Sequence, residues 1–276
     1  MKKCSGIFSF LIVILILASC TNTDDVGEIY EIKMSRAIFP SDIDGKKMEF
    51  NMKDWKKAKK IEDEEDLYEK REEGWEKLFY FHLALEDDKI MLVAPWDENF
   101  TFEVENGYFE SNFDGGYGGK LNFIQNDGTE YTIIESSGPL MTRYMFSINK
   151  KIYLVVGAGQ LVPDGAMYMM KNTDGIWATG RRIDLYGFPR ACYIDGNGDI
   201  YFIIEKRGYY YPCDELLRMP YDENKISMES VYKFEPDYMP ASSLVKKGNL
   251  FYIGLGGGIA IYNSKNDKYD YYFYDK

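Results

Sequence analysis

A strand pair that recurs about every 50 residues is the strongest constraint on how this chain folds. The stretches FPRACYIDGNGDIYFII at 188–204 and MPASSLVKKGNLFYIG at 239–254 share a proline, an alternating strand, a Gly-containing turn and a second strand. A looser copy lies at 139–156, and the equivalent residues Ile152, Ile200 and Leu250 are spaced by 48 and 50 residues. Fixed periods of this length are typical of stacked or radially arranged repeats.

Strands are predicted throughout residues 77–276. After Pro139 they form three four-stranded units, at 141–184, 190–234 and 242–274, and about six strands of unresolved grouping precede them. The content of 24 Tyr and 17 Phe favours strands, because aromatic rings pack well on a half-buried pleated surface.

This pattern resembles the blades of the broad NHL- and kelch-like β-propeller groups, without pointing to a named subfamily. The resemblance rests on a proline, a strand, a Gly-containing turn and an Ile or Leu followed by Tyr or Phe. It covers 139–276 well and 77–135 loosely, and it implies about five four-stranded blades, with four or six as alternatives. A β-sandwich is the competing architecture, although it needs no 50-residue period.

Residues 51–76 differ in pattern from the rest of the chain. Their apolar residues recur at spacings of three to four or multiples of these, and charged residues fill most other positions. This periodicity predicts one N-terminal amphipathic helix packed on the strand domain, with partner binding as the alternative. Residues 20–50 are predicted to form a tether and an edge segment.

Residues 1–19 predict a cleaved signal peptide. Two lysines are followed by an apolar run, Ile7–Leu17, which is shorter than the ~20 residues that a membrane-spanning helix needs. Leu17-Ala18-Ser19-Cys20 then resembles the lipobox of bacterial lipoproteins. The resemblance implies cleavage before Cys20 and attachment of palmitate and other acyl chains to that residue. An ordinary secretory leader is the alternative.

The residues after Cys20 bear on the location of the protein. Residue 21 is Thr rather than Asp, so the chain lacks the inner-membrane retention signal of many Gram-negative lipoproteins. LASCTN followed by acidic residues resembles lipoproteins of Bacteroidetes. That resemblance implies a lipid anchor in the outer membrane, and a Gram-positive cell surface is the alternative. Several acyl chains on one cysteine hold a protein firmly, because each buried CH₂ contributes ~0.8 kcal/mol.

Charge and histidine content exclude several classes of function. A formal net charge of −12 repels phosphate backbones, so nucleic-acid binding is not expected. His82 is the only histidine in the sequence, which excludes a His-based triad or a multi-His metal site within one chain. We expect neither a cofactor nor a metal site.

One turn has the appearance of a calcium loop. Asp195-Gly196-Asn197-Gly198-Asp199 places oxygen-bearing side chains at alternate positions. A calcium loop needs Gly at its sixth position and Glu at its twelfth, where this chain has Ile200 and Lys206. We therefore predict a tight turn between two strands. The Gly-rich stretch 115–119 suggests a phosphate-binding loop, but it lacks the strand-to-helix context that such a loop needs. We therefore predict a tight loop there and in the matching stretch 254–258.

Tyr209, Tyr210 and Tyr211 are the candidate ligand-binding residues. They lie in the predicted connection between the second and third strands of one unit, and binding residues concentrate on loops held by a rigid scaffold. Their rings suit stacking on a sugar ring or a peptide. Tyr271–Tyr274 offer the same chemistry, but alternation at the end of a strand favours packing.

Two cysteines remain once Cys4 leaves with the signal peptide and Cys20 is lipidated. An oxidising envelope permits a disulfide between Cys192 and Cys213. Their predicted strands are two apart in one sheet, or ~9.5 Å, which is too far for a disulfide unless a loop folds back. Two buried thiols are the favoured interpretation.

The combined prediction is a lipid-anchored cell-envelope protein with no assigned catalytic residue. It binds or scaffolds a protein or glycan partner on a face built from connecting loops. The alternative is a carbohydrate-active hydrolase or lyase that uses carboxylates on that face. The 45 acidic residues give many chance pairings, and no spacing singles out one pair.

Overall fold

The computed structural model describes residues 32–36, 48–57, 82–93, 99–113, 119–136, 140–158, 163–207, 212–222, 226–234, 241–255 and 258–273. These residues are 76% strand, and no α-helix occurs among them. The strands form five separate antiparallel sheets, none of which closes on itself.

Twenty-one strands and one short 3₁₀ helix (Met52–Asp54) make up this part of the chain. The strands in chain order are β1 (Ile32–Arg36), β2 (Met48–Glu49), β3 (Lys56–Lys57), β4 (His82–Glu86), β5 (Lys89–Val93), β6 (Phe100–Val104), β7 (Gly107–Phe113), β8 (Gly119–Gln125), β9 (Glu130–Ser136), β10 (Leu140–Ile148), β11 (Lys151–Ala158), β12 (Asp164–Thr173), β13 (Ile176–Asp184), β14 (Phe188–Ile194), β15 (Ile200–Arg207), β16 (Pro212–Met219), β17 (Glu229–Lys233), β18 (Ala241–Lys247), β19 (Leu250–Leu255), β20 (Gly258–Asn263) and β21 (Lys268–Phe273).

The five sheets are numbered here by the chain order of their main strands. Sheet I has the strand order β2-β5-β4, and sheet II has β6-β7-β8-β9. Sheet III has β1-β10-β11-β12-β13, sheet IV has β14-β15-β16-β17, and sheet V has β18-β19-β20-β21-β3. The three four-stranded units predicted after Pro139 are therefore confirmed as the consecutive strands of sheets III, IV and V.

The N-terminal segment contributes edge strands to three sheets. β1 pairs with β10 in sheet III, β2 pairs with β5 in sheet I, and β3 pairs with β21 in sheet V. The amphipathic helix predicted for 51–76 is corrected at its start, because residues 52–57 form the 3₁₀ helix and β3. Trp55 is buried against Phe50 beside sheets I and V, which explains its apolar character without a helix. Residues 58–76 lie outside the described residues.

Four apolar clusters join the sheets in a series. They lie between sheets II and III, III and IV, IV and V, and V and I. The interface between sheets III and IV is an example. Phe146 from sheet III and Phe202 from sheet IV are both fully buried there. Because successive strand residues point to opposite faces, a sheet buried on both faces supplies two clusters. Sheets III, IV and V do so.

Polar contacts across these interfaces show which ends of neighbouring sheets lie side by side. Those at one end include Arg143 to Pro189 and the backbone N–H of Leu83 to Ser243. Those at the other end include Lys246 to Asp195. We call the end where β10, β14 and β18 begin the bulge end, because each of these strands has a β-bulge there. The opposite end, which carries short turns such as 149–150 and 248–249, is the turn end.

Candidate functional site

The bulge end is built on three equivalent irregularities in the first strands of sheets III, IV and V. The extra residues are Arg143, Arg190 and Ser242, each between two residues that pair with consecutive positions of the next strand. A bulge interrupts the alternation of side chains, so it changes the direction of the side chain at that position. Two of the three bulges thus place an arginine at the same end of neighbouring sheets.

Arg143 uses its guanidinium to join sheet III to sheet IV. Its side chain is 3% exposed, and its Nε and a terminal nitrogen donate to the carbonyl oxygens of Pro189 and Arg190 at 3.3 and 3.1 Å. The hydroxyl of Tyr144 donates to the same Arg190 carbonyl at 2.8 Å. The guanidinium also lies 5.3 Å from the centre of the Phe188 ring, an attractive geometry for a cation. These contacts assign Arg143 a structural role.

Arg190 is also held by its surroundings. It forms an ion pair with Glu205 of β15, and its guanidinium lies 5.0 Å from the Phe188 ring centre. The side chain of Arg190 is only partly buried, whereas the Glu205 carboxylate is nearly buried. Two guanidinium groups therefore lie within cation–π distance of Phe188 at the bulge end of sheet IV.

Glu215 and Lys206 form a second ion pair at the bulge end of sheet IV. Burial of the Glu215 carboxyl favours its neutral form, but hydrogen bonds from Lys206 and Ser230 outweigh that effect. The net result is a pKa of the Glu215 carboxyl below its ordinary value. Glu215 is therefore an ionised structural carboxylate at neutral pH rather than a proton donor.

Tyr186 is the most exposed large apolar side chain among the described residues. It lies in the connection between β13 and β14 at the bulge end, and it is 73% exposed. Its φ angle is +56°, a left-handed conformation that costs an L-residue with a large side chain about 1–2 kcal/mol. Strained backbone held in place by its surroundings is characteristic of functional positions.

The neighbours of Tyr186 keep its backbone in this conformation. Leu185 is fully buried, and its N–H donates to the carbonyl of Gly165 at 2.9 Å. Gly187 packs so closely on β15 that a Cβ there would lie 2.5 Å from the Glu205 carbonyl oxygen. The residues on both sides are thus fixed, and the ring of Tyr186 is presented to solvent from a rigid segment.

The turn end contains a separate charged network around the Asp195–Asp199 turn. Asp195 Oδ1 accepts from the backbone N–H groups of Asn197 and Asp199 at 3.0 and 3.2 Å. Its Oδ2 accepts from Lys246 Nζ at 2.6 Å and from the Tyr201 hydroxyl at 3.4 Å. Ile200 begins β15 as predicted, and donors of the protein itself bind both carboxylate oxygens of Asp195.

The other carboxylate of this turn is also bound to a cation. Asp199 Oδ2 accepts from Nε and a terminal nitrogen of Arg218 at 2.8 and 2.6 Å. Hydrogen bonding to Asp199 is the main cause that raises the pKa of Arg218. Burial lowers the pKa of Lys246, but hydrogen bonds to Asp195 and Tyr201 outweigh it and the net shift is upward. Both cations therefore stay charged.

The buried carboxylates of sheet IV are the residues on which the alternative of a hydrolase would depend, and they lie at two different ends of the sheet. Asp195 and Asp199 lie at the turn end, whereas Glu205 and Glu215 lie at the bulge end. Glu205 shares a face with Ile203, and Glu215 shares the opposite face with Leu217, because strand side chains alternate. Each carboxylate is paired with Lys or Arg. Within the described part of the chain, these four carboxylates therefore lie at two ends of sheet IV, each held by a cation.

Several residues singled out by the sequence lie outside the described residues. They are Cys20, Tyr209, Tyr210, Tyr211 and most of the 115–119 stretch. The chain reaches 208–211 from the end of β15 and leaves it at the start of β16, both at the bulge end. The topology therefore brings the ends of the tyrosine-bearing connection to the same end of the sheets as Tyr186. His82 is buried on β4.

The cysteine pair is excluded by register. Cys192 pairs with Phe202 on one side of β15, and Cys213 pairs with Lys206 on the other. The two residues are thus two strands and four positions apart, or ~16 Å, far beyond the 4.4–6.8 Å that a disulfide spans between Cα atoms. Cys192 is a thiol that is 2% exposed, in the core between sheets III and IV.

One local sequence feature indicates Tyr186, although the pattern of strands alone does not. Asp-Leu-Tyr-Gly-Phe-Pro connects two predicted strands at 184–189 and places a large ring directly before a glycine. No local pattern signals Arg143 and Arg190, because their function depends on bulges and on contacts between sheets.

Comparisons with models of known protein families and with curated protein sequences find no match. No group of three or more potential metal ligands comes together in the described ranges. Across those same ranges, no helix is both long enough and apolar enough to cross a bilayer.

Proposed function

We propose that the protein is a non-catalytic binding protein of the cell envelope, attached to the membrane through acyl chains on Cys20. Its partner is a protein or a glycan that binds at the bulge end. The outer membrane is the proposed location, as the residues after Cys20 suggest. The observation that carries the binding proposal is Tyr186, an exposed ring held in a strained backbone conformation by two fixed neighbours.

We further propose that the five sheets are blades of a β-propeller-like ring. The serial packing of sheets II, III, IV, V and I supports this arrangement. Sheets I and II are consecutive in the chain, since β5 ends at Val93 and β6 begins at Phe100. Packing of sheet I against sheet II would then complete a ring, and β3 would join the N-terminal segment to the last blade.

Tyr186 is both exposed and held on a fixed backbone, and both properties favour binding at the bulge end. An exposed aromatic ring contributes a large apolar area to a contact, and Tyr adds a hydroxyl that hydrogen-bonds to polar partners. When the backbone is already fixed, less conformational entropy is lost on binding. The connection 208–211 adds three tyrosines whose flanking strands end at the same end of the sheets.

Binding is tested with detergent-solubilised full-length protein on a glycan array and in pull-downs from envelope extract. A ligand of the bulge end is expected to be retained by the unmodified protein and lost on Tyr186→Asn, since Asn tolerates the left-handed backbone but removes the ring. Tyr108→Ala is the matched control, because Tyr108 is 37% exposed and lies near the turn end. A ligand that both variants retain does not use the bulge-end site and contradicts the proposal.

Attachment to the membrane has its own test. Cys20→Ala is expected to abolish acylation and move the protein from the membrane fraction to the soluble fraction, because the acyl chains supply the membrane affinity. Fractionation followed by immunoblotting measures this. Thr21→Ala controls for a general effect of substitution next to the cleavage site. Undiminished membrane association of the Cys20→Ala protein would refute lipid anchoring.

A further inference from the structure

The direction of β1 fixes the end of the molecule at which the N-terminal tether meets the sheets. Ile32 pairs with Ile148, which directly precedes the turn at 149–150, and Arg36 pairs with Tyr144 near the bulge of β10. Because β1 and β10 are antiparallel, the chain enters the fold at the turn end and runs toward the bulge end. The residues between Cys20 and Ile32 therefore lead to the turn end.

From this direction we infer that the protein stands with its turn end toward the membrane and its bulge end toward the aqueous phase. The inference rests on the proposed lipid anchor at Cys20. In this orientation the bulge-end site is open to ligands that approach from the aqueous phase.

The length of the tether supports this orientation. Twelve residues, 20–31, connect the acylated cysteine to β1, and a chain of that length spans at most ~40 Å when fully extended. β12 runs nearly the full height of its sheet from Asp164 to Thr173, which corresponds to ~30 Å between its ends. An inverted molecule would require the tether to cover that height at about three quarters of its full length, which costs conformational entropy. The upright orientation requires no such extension.

Electrostatic repulsion from the membrane does not reverse the orientation. The exposed charges in the described turns at this end are acidic except for two lysines: Asp87, Asp88, Glu105, Asp127, Asp174, Asp222 and Asp267 against Lys150 and Lys265. Anionic head groups repel such a surface, but at physiological ionic strength the repulsion extends only ~8 Å. Since the tether allows a larger separation, the repulsion sets a gap between the turn end and the bilayer.

Energy transfer to the bilayer tests the orientation. Asp164→Cys and Thr173→Cys are introduced one at a time into full-length acylated protein whose Cys192 and Cys213 are replaced by alanine. Both labelling sites are exposed and lie at opposite ends of the same strand, β12. Each variant carries a donor dye and is added to phosphatidylcholine vesicles that contain an acceptor-labelled lipid.

Transfer from residue 173 is expected to exceed transfer from residue 164 by about twofold or more, because the two sites are ~30 Å apart. Equal transfer, or stronger transfer from residue 164, would overturn the orientation. Failure of the acylated protein to float with the vesicles would overturn the anchoring, and the inference with it. Neither result depends on ligand binding by solubilised protein, so a failure here is distinct from a failure of the bulge-end site.

Discussion

Arg143→Met is expected to lower the free energy of unfolding by about 3 kcal/mol, because the buried guanidinium donates to two backbone carbonyls across a sheet interface. Methionine keeps much of the apolar stem, so the loss reports the polar contacts rather than a large cavity. The Tyr144 hydroxyl still donates to the Arg190 carbonyl in the variant. Denaturant unfolding followed by tryptophan fluorescence measures the change, and the melting temperature is expected to fall by about 10 °C.

Arg182→Met is the matched control for this prediction. Arg182 carries the same charge and pairs with Asp184, but its side chain is 50% exposed on the edge strand β13. Exposed ion pairs contribute about 0–1 kcal/mol, so this variant is expected to remain close to the unmodified protein. If the Arg143 and Arg182 variants lose similar stability, Arg143 does not link sheets III and IV in the way described.

Asp195→Ala is expected to be comparably destabilising, by about 3–4 kcal/mol, because it removes the carboxylate opposite a partly buried ammonium group. Two backbone N–H groups and the Tyr201 hydroxyl lose their acceptor at the same time. Asp127→Ala is the control, since Asp127 also accepts from a backbone N–H in a hairpin turn but is exposed and has no lysine partner in the described contacts. Its effect is expected to be much smaller.

A double-mutant cycle separates the ion pair from the turn. Lys246→Met combined with Asp195→Ala is expected to be less destabilising than the sum of the two single changes, because the double variant leaves no uncompensated ammonium. If the losses of unfolding free energy in the two single variants add up to the loss in the double variant, Asp195 acts only on its own turn. In that case the link between sheets IV and V would not depend on this ion pair.

The repeat was sufficient to predict the four-stranded units but not the way the sheets are joined. Alternation and turn residues are local, so Ile152, Ile200 and Leu250 were correctly placed at or next to the start of a second strand. Arg143 and Lys246 act between strands that are distant in sequence, and nothing in their local patterns indicates the partner. The Asp195 turn was predicted correctly because Ile200 could be recognised as the start of a strand.

The N-terminal segment shows where periodicity was misleading. Trp55 and its neighbours have the spacing of a helix face, yet residues 52–57 form a 3₁₀ helix and β3. Pairing of β3 with β21 and burial of Trp55 beside Phe50 override the local helical preference. The exposed ring of Tyr186 was missed for a related reason, since its left-handed backbone depends on Leu185 and Gly187 being fixed by strands β12 and β15.

Stability and ligand binding are measured side by side for the Tyr186→Asn protein and the unmodified protein. Because asparagine adopts the left-handed conformation more readily, the free energy of unfolding is expected to be unchanged or higher by up to ~1 kcal/mol. Retention of the glycan or protein ligand is expected to be lost at the same time, while Tyr108→Ala retains it. Undiminished ligand binding by the Tyr186→Asn protein would contradict the claim that the bulge end is the binding site.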